Sequence, residues 1–274
     1  MDKYAIIEPI ENGSFGFIYL AHIVNTTTQV AIKRIPKDCT QLNSVSSHLC
    51  GSTHLNSEHI ILQELKHPNI VKLLDVVENR GDLSLIMEYA PNGDLHTLIT
   101  KKKKLTDEEA KPIIYQMTKA LQYIHKSGYI HCDIKPENVL LFNEGIVKLA
   151  DFGLAAKWKP GTTIKISRGS PHYASPEALF NLATEGPNID VWSLGIVIYV
   201  VIVGGLPFSD INHLKVMHQQ IRETGVYIPT SVPFEIANLL KQMLESNVSK
   251  RISIQGVLDH PWLTKKRGYG CMIF

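Results

Sequence analysis

The sequence predicts an α+β protein with two lobes, a strand-rich N-terminal lobe and a mainly helical C-terminal lobe. Short apolar runs alternate with turn residues over residues 4–89. A strongly amphipathic helical pattern then follows at residues 107–127. An Ala-Pro-Asn-Gly segment at residues 90–93 contains turn formers and marks the join between the two lobes.

Five apolar runs in the N-terminal lobe have the length and the β-branched content of strands. They are Tyr4–Ile10, Phe17–Val24, Gln29–Ile35, Ile70–Val77 and Leu83–Tyr89. Asn12-Gly13 and residues 80–82 are turn signals between them. The same lobe contains one stretch with helical spacing, Leu55–Leu65, for which Asn56 is the expected N-cap.

The helix at Asp107–Ser127 is predicted to begin with a capping box, because Thr106 is followed three residues later by Glu109. Further helices are predicted at Pro176–Leu182, Asn212–Glu223, Pro233–Ser246 and Ile254–Asp259. The most apolar run, Leu194–Val203, is shorter than the roughly 20 residues that span a bilayer. Its β-branched composition favours a strand, and its periodicity leaves helix and strand open.

Composition limits the classes of function. A formal net charge of +2 argues against a nucleic-acid-binding protein. The 4 cysteines form no C-x-x-C pair, which favours reduced thiols and a cytoplasmic or nuclear location. Residues 1–10 mix charged and apolar side chains, unlike a secretory signal peptide. A monomer is expected.

Two segments of the N-terminal lobe carry groups suited to phosphate binding. Gly13-Ser14-Phe15-Gly16 lies between two predicted strands, where glycines let backbone N–H groups approach phosphate oxygens. An ordinary hairpin turn is the alternative. Val-Ala-Ile-Lys at residues 30–33 matches a strand whose lysine contacts nucleotide phosphates and pairs with a helix glutamate, here Glu58. A solvated lysine and a solvated glutamate are the alternative for this pair.

The motif His-Cys-Asp-Ile-Lys-Pro-Glu-Asn at residues 131–138 concentrates the chemistry. Asp133 is placed to accept the proton of an attacking hydroxyl, and Lys135 can neutralise charge on a transferring phosphoryl group. Asn138 and Asp151, the latter in an Asp-Phe-Gly motif, offer oxygen ligands to Mg²⁺. The alternative, a polar surface loop, does not explain the ordered set.

These motifs, with Ser-Pro-Glu at residues 175–177, Asp-x-Trp-Ser-x-Gly at residues 190–195 and Arg251, resemble the catalytic domain of eukaryotic protein kinases. The resemblance covers residues 4–263, with an N-lobe at about 4–89 and a C-lobe at about 94–263. It implies the bilobal protein kinase fold, in which residues 190–203 form a buried helix. It also implies ATP and Mg²⁺ as cofactors.

Site residues follow from the resemblance position by position. Met87 is similar to the gatekeeper, residues 88–90 to the hinge, and Asp94 to a ribose or substrate contact. Catalysis is assigned to Asp133 and Lys135, and metal binding to Asn138 and Asp151. The nucleotide-binding residues implied are Ile10, Glu11, Asn12, Gly13, Ser14, Phe15, Gly16, Phe17, Ile18, Ala31, Lys33, Glu58, Met87, Glu88, Ala90 and Asp94. The resemblance further implies a spine of Leu62, Leu73, His131 and Phe152, and a Glu177–Arg251 pair.

The form of the catalytic motif implies a serine/threonine kinase that acts on protein substrates, with Ser170 bracing Lys135. The segments at residues 169–173 and 190–195 are most similar to the AMP-activated-kinase-related and checkpoint branch, which suggests cell-cycle, checkpoint or stress signalling. Asp94 and Glu137 are candidates to attract a basic residue of the substrate, or are merely solvated. A pseudokinase scaffold and a small-molecule kinase are the rival functions.

The sequence departs from the family at two regulatory positions. Cys132 replaces the arginine that binds a phosphorylated activation loop, and Ile166 replaces the phosphorylatable threonine. We expect activity without phosphorylation at residue 166, although Thr162, Thr163 and Ser167 are alternative sites. Glu11, in place of the first glycine of the phosphate loop, is expected to weaken nucleotide binding.

Three minor features have simpler explanations. His48, Cys50 and His54 have zinc-ligand chemistry but lack a paired second half, so a polar loop is expected. Lys101–Lys104 reads as a solvated basic stretch. Residues 264–274 form a short basic tail that ends in Cys-Met-Ile-Phe, which fits a C-a-a-X prenylation box at Cys271 or an ordinary apolar end. Membrane association is expected only if Cys271 is prenylated.

Overall fold

A five-stranded antiparallel sheet and one helix form the N-terminal lobe, and helices dominate the C-terminal lobe, as predicted. The computed structural model describes residues 3–13, 16–37, 58–166, 169–207, 219, 221, 223 and 225–265. The predicted helix at 212–223, the histidine and cysteine cluster at 48–54 and the tail from residue 266 lie outside this part, apart from the isolated positions named.

The strand order in the large sheet is β1-β2-β3-β5-β4. Its strands are β1 (Tyr4–Gly13), β2 (Gly16–Ile23), β3 (Gln29–Pro36), β4 (Leu73–Glu78) and β5 (Asp82–Glu88). All five were predicted from sequence to within a few residues. The expected turn at Asn12-Gly13 is wrong, because β1 continues to Gly13, which pairs with Gly16. The strand expected from Ile70 begins at Leu73, and Ile70 instead forms an isolated bridge with Leu149.

Eight α-helices are assigned in the described residues, which also contain two short 3₁₀ turns. The α-helices are α1 (Glu58–Glu64), α2 (Leu95–Lys102), α3 (Asp107–Lys126), α4 (Pro176–Leu179), α5 (Pro187–Val203), α6 (Phe234–Met243), α7 (Ile254–Asp259) and α8 (Pro261–Thr264). The capping box predicted at the start of α3 is present, with both Thr106 and Glu109 bonded to backbone N–H groups. The predicted ends of α4 and α6 are too long. In α4 the chain turns at Asn181, where φ is 51°.

Short paired strands complete the C-terminal lobe. They are β6 (Tyr129–Ile130), β7 (Val139–Leu141), β8 (Val147–Leu149), β9 (Ala156–Lys157), β10 (Ile164–Lys165) and β11 (Ala183–Thr184). The pairs are β6 with β9, β7 with β8, and β10 with β11. These two- and three-residue strands carry no usable periodicity, so the sequence did not predict them.

Helix α2 was also not predicted from sequence. Its buried residues, Leu95 and Ile99, are one helical turn apart, and the side chain of Asp94 caps it by accepting a hydrogen bond from Thr97 N at 2.7 Å. The end of α2 could not be predicted because it lies within the run Lys101–Lys104, and consecutive lysines are typical of a loop. All four lysines are exposed, as expected for a solvated stretch.

The apolar run that looked like a strand lies in α5. Residues 189–201 of this helix are all buried, so it is surrounded by protein and needs no polar face. Tertiary packing therefore overrides the strand propensity of its β-branched residues. Among the described residues no helix is both long and apolar enough to cross a membrane.

Contacts between the lobes place the site at their junction. Before β4, the N–H group of Val71 donates to Leu149 O and Asn69 O accepts from Leu149 N, each at 2.9 Å, so the chain on both sides of Ile70 bonds to β8. Glu88, at the end of β5, forms an ion pair with Lys148 of β8, with both carboxylate oxygens within 2.8 Å of Nζ. The apolar core that contains α3 and α5 packs on the C-terminal-lobe side of this junction.

Candidate active site

A buried carboxylate holds the catalytic loop in place. Asp190, on α5, is fully buried and accepts hydrogen bonds at 2.9 Å from the backbone N–H groups of both His131 and Cys132. His125 Nε2 lies 2.8 Å from the same carboxylate. Burial alone would raise the pKa of Asp190, but the hydrogen bond and charge of His125 outweigh it and lower the pKa. Cys132 can therefore hold its left-handed conformation, with φ of 67°.

Asp133 lies at the centre of a hydrogen-bonded cluster. Its Oδ1 accepts from both the backbone N–H and the hydroxyl of Ser170, each at 2.9 Å. Its Oδ2 lies 3.0 Å from Lys135 Nζ and 3.1 Å from Asn138 Nδ2. Lys135 Nζ also donates to Ser170 Oγ at 3.1 Å, so the predicted brace is present. The cluster fixes a carboxylate, an ammonium and an amide around one point.

Gly169 allows Ser170 to reach this cluster. Its φ is +101°, which L side chains rarely adopt, and a Cβ atom at this position would lie 2.4 Å from Cys132 O. The chain before Ser170 thus packs directly against the catalytic loop. A glycine is required here for both conformation and space.

Lys33 joins the two lobes electrostatically. Its Nζ lies 2.7 Å from Glu58 Oε2 on α1, as predicted, and 2.7 Å from Asp151 Oδ1. Burial alone would lower the pKa of Lys33, but the charges of Asp151 and Glu58 raise it, so the ammonium stays protonated. Burial also opposes ionisation of Asp151, and the Lys33 charge lowers its pKa. Two carboxylates from different lobes therefore share one cation.

A cavity of about 280 Å³ opens between the lobes beside these groups. The predicted site residues that line it are Ile10, Ile18, Ala31, Lys33, Glu58, Met87, Glu88, Ala90, Asp94, Lys135, Asn138 and Asp151. The cavity is mostly apolar near Ala31 and Met87, and charged at the end where Lys33 and Asp151 meet.

The remaining predicted residues lie elsewhere. Asp133 adjoins the cavity through its contact with Lys135. Phe17 is 40% exposed on β2, and Gly16 lies where a Cβ atom would clash with Arg34 O, so Gly16 serves the approach of β2 to β3. For residues 11–13 the structure describes the backbone alone, which continues β1. Ser14 and Phe15 lie outside the described residues.

Several cavity residues were missed by sequence reasoning. They are Val71, Gly93, Leu140 and Ala150. Leu140 lies in β7, and this strand of three residues is too short to show which of its side chains faces the cavity. Val71 and Ala150 are small apolar residues that no local pattern distinguishes from ordinary core.

The predicted spine residues are buried together. Leu62, Leu73 and Phe152 belong to the main apolar core, and the rings of His131 and Phe152 lie 4.8 Å apart. His131 Nε2 is 3.0 Å from Ala150 O, which ties the catalytic loop to the Asp-Phe-Gly segment.

The predicted pair of Glu177 and Arg251 is also present. Both guanidinium NH groups bond to the carboxylate, at 2.5 and 3.0 Å, and both side chains are buried. This bidentate pair anchors α4, and with it the segment that carries Ser170, to the C-terminal end of the lobe.

The two departures from the kinase pattern meet in space. Cys132 and Ile166 are 4% and 1% exposed and belong to one apolar cluster. Its other buried members are Ile130, Ala156, Ala174, Ala178 and Ile189. The cluster joins the catalytic loop to β9, to the segment after β10, to α4 and to α5.

The sequence matches the family described as "Protein kinase domain" over residues 4–263. It is 36% identical over 261 residues to sucrose non-fermenting protein kinase 1 of Fusarium virguliforme, covering 95% of this chain and 36% of that protein. It is also 36% identical to maternal embryonic leucine zipper kinase of Xenopus tropicalis, covering 98% of this chain and 40% of that protein.

A third relative, serine/threonine-protein kinase SIK1 of Mus musculus, is 36% identical, with 95% of this chain and 32% of that protein aligned. The resemblance predicted from the sequence to the AMP-activated-kinase-related group is confirmed by these matches. The chain spans about a third to two fifths of the length of these curated relatives.

The packing of Gly169 against Cys132 predicts a large cost for Gly169→Ala. The left-handed backbone costs about 1–2 kcal/mol with a Cβ atom, and the clash with Cys132 O adds about 1–3 kcal/mol. Gly161→Ala is the matched control, because Gly161 also has positive φ but has open space around its Cβ position. Urea unfolding of both variants measures the difference, and equal losses of stability would contradict the steric argument.

Proposed function

The chain belongs to the protein kinase family, and we propose that it is an ATP- and Mg²⁺-dependent protein serine/threonine kinase. The observation that carries this proposal is the assembled catalytic cluster. Asp133, Lys135 and Asn138 meet around one point, and this point adjoins the cavity where Lys33 and Asp151 form an ion pair.

The residues present fit a magnesium nucleotide. Asn138 uses its Nδ2 to donate to Asp133, so its Oδ1 is the atom that can bind a cation. With the Asp151 carboxylate it supplies the hard oxygen ligands that Mg²⁺ prefers. The apolar wall at Ala31 and Leu140 suits a purine ring, and Lys33 suits its phosphates. When bound, the magnesium nucleotide supplies the phosphoryl group and a divalent charge beside it.

The chain's own residues then perform three tasks. Asp133 orients the substrate hydroxyl and accepts its proton as the hydroxyl oxygen bonds to the γ-phosphorus and the bond from that phosphorus to the bridging oxygen of ADP breaks. Lys135 neutralises the negative charge that builds up on the transferring group. The Lys33–Glu58 pair keeps the ammonium directed at the phosphate end of the cavity. Positioning and electrostatics do most of the catalysis.

Protein serine or threonine hydroxyls are the proposed acceptors. Ser170 braces both Asp133 and Lys135, the arrangement that the sequence resemblance associates with this substrate class. The segment with Ser170 is anchored through α4 and the Glu177–Arg251 pair, which supports a protein substrate over a small molecule. The assembled Lys33–Glu58–Asp151 group argues against the pseudokinase alternative.

Asp133→Asn tests the reaction directly. The amide keeps the shape of the side chain but accepts a proton poorly, so kcat should fall by about 10²–10⁴-fold. Transfer of the labelled γ-phosphate of ATP to a generic protein substrate measures kcat, and nucleotide binding by calorimetry should stay within a few-fold of wild type.

The outcomes separate the candidates. If the chain is a pseudokinase, neither wild type nor Asp133→Asn will transfer label to the protein substrate, whether or not they bind nucleotide. A small-molecule kinase would consume ATP in a metabolite extract but leave the protein substrate unlabelled. Equal labelling by wild type and Asp133→Asn would contradict the proposed role of Asp133.

We also propose that this activity does not require a phosphorylated residue at the position that Ile166 occupies. The apolar cluster that contains Cys132 and Ile166 already joins the catalytic loop to the segment after β10. An arginine–phosphate pair would make that connection by charge, whereas this chain makes it by apolar contact. Burial of these residues needs no covalent signal.

Phosphatase treatment should therefore leave kcat unchanged. Ile166→Glu should lower activity, because a carboxylate in this apolar cluster is costly to bury. Ile146→Glu is the control, since it makes the same change at an isoleucine that is 38% exposed, and it should behave as wild type. The same phosphoryl-transfer assay applies. Loss of activity after phosphatase treatment, or a gain in Ile166→Glu, would refute this proposal.

A basic residue upstream of the acceptor is the proposed substrate preference. Glu137 lines the cavity, and its Oε2 is buried with no hydrogen-bond partner among the described residues. Burial, and then the charge of Glu137, raise the pKa of Tyr173. Asp94 contributes less, because its Oδ1 is used to cap α2.

Glu137→Gln should remove a preference for upstream arginine of about tenfold in kcat/KM. Peptide arrays that compare arginine with alanine at each upstream position measure it. Asp94→Asn is the comparison variant, because asparagine keeps the cap and removes the charge, and it should lower the arginine preference less than Glu137→Gln does. An unchanged arginine preference in Glu137→Gln would exclude Glu137 as its source.

A further inference from the structure

Tyr129 has no role in the proposed reaction, but it connects β6, α1 and β9, which adjoin the active site. It lies in β6, four residues before Asp133, and is 3% exposed. Its hydroxyl donates a hydrogen bond to Glu64 Oε2, at the end of α1. Its ring lies 5.6 Å from Lys157 Nζ, and Lys157 is also its partner in the β6–β9 pair.

Helix α1 has directional contacts at both ends. Glu58, in the first turn, contacts Lys33, and Glu64, in the last turn, contacts Tyr129. Between them Ile61 and Leu62 are buried in the apolar core. Apolar contacts tolerate small rotations and shifts of a helix, whereas hydrogen bonds require specific distances and angles. The two end contacts therefore set the orientation of α1.

The length of α1 makes these two contacts interdependent. Seven residues span only about 10 Å, so a tilt or rotation at Glu64 reaches Glu58. The contact at Glu64 comes from β6, which continues into the catalytic loop and pairs with the strand after Asp151. The contact at Glu64 thus sets the orientation of α1 relative to the elements that carry Asp133 and Asp151.

We propose that Tyr129 is a positioning residue for phosphoryl transfer: through its hydroxyl and Glu64 it holds α1 in the orientation that keeps Glu58 on Lys33. The proposal rests on the kinase activity proposed above for its catalytic readout. Tyr129 acts through α1 and touches neither substrate nor the reacting atoms.

The chemistry of the contact suits this role. Burial, and then the hydrogen bond and charge of Glu64, raise the pKa of Tyr129 to about 12. The hydroxyl therefore remains a donor near neutral pH. A second tyrosine, Tyr123, accepts a hydrogen bond from Lys66 N at 3.0 Å just after α1, and it fixes the following loop rather than Glu64.

Tyr129→Phe keeps the ring in the core and removes only the hydroxyl. We expect kcat to fall by about fivefold, with KM for the protein substrate unchanged. Glu64→Gln keeps an acceptor oxygen for the Tyr129 hydroxyl and should leave kcat close to the wild-type value. Glu64→Ala removes the acceptor and should lower kcat as much as Tyr129→Phe does. Tyr115→Phe is the control, because Tyr115 is 43% exposed on α3.

Two double variants test the route of the effect. Tyr129→Phe combined with Glu64→Ala should be no worse than either single change, because both remove one contact. Tyr129→Phe in a Glu58→Ala background should have no further effect on kcat, because the contact with Lys33 is already lost. Additive losses in both combinations would overturn the proposal.

Hydrogen exchange of the amides in residues 58–64 provides a readout that needs no turnover. Faster exchange in Tyr129→Phe than in wild type and Tyr115→Phe supports the proposed hold on α1, even if wild type proves inactive and the proposed function fails. Unchanged exchange together with unchanged kcat overturns the positioning role. A lower melting temperature of Tyr129→Phe, with hydrogen exchange and kcat both unchanged, also overturns the positioning role, since Tyr129 would then act in packing alone.

Discussion

The buried carboxylate of Asp190 is the interaction on which the site depends. It accepts the backbone N–H groups of His131 and Cys132, and this contact fixes the start of the catalytic loop. Two backbone donors and His125 surround it, so the ionised form is retained despite complete burial. Asp133 follows directly, and its position is therefore set by a residue of α5 almost sixty residues away in sequence.

A second constraint links the lobes. Lys33 lies between Glu58 and Asp151, which are separated from it by 25 and 118 residues. One cation that serves two carboxylates makes the orientation of α1 and the conformation of the Asp-Phe-Gly segment depend on each other. Asp151 accordingly has φ of 60°, a conformation that this charge pairing and the surrounding core maintain.

The structure also gives the unusual residues a common explanation. Cys132 and Ile166 looked like two separate losses in the sequence, one cationic and one phosphorylatable. In the fold they pack in one apolar cluster, which joins the catalytic loop to the segment after β10. Asp133, directly after Cys132, accepts a hydrogen bond from the hydroxyl of Ser170 in the catalytic cluster.

The sequence by itself determined the fold class, the five strands of the large sheet, the capped helix α3 and the chemical groups of the site, because these depend on local periodicity and on ordered motifs. Composition and periodicity could not decide helix or strand for the core of α5, whose conformation depends on being enclosed by other elements, and only the family resemblance implied the buried helix that is present. Tertiary structure alone decided that Gly16 serves strand packing and that Tyr129 reaches α1. The physical reason is that such contacts join residues far apart in sequence, and only the packing of whole elements brings their side chains within bonding distance.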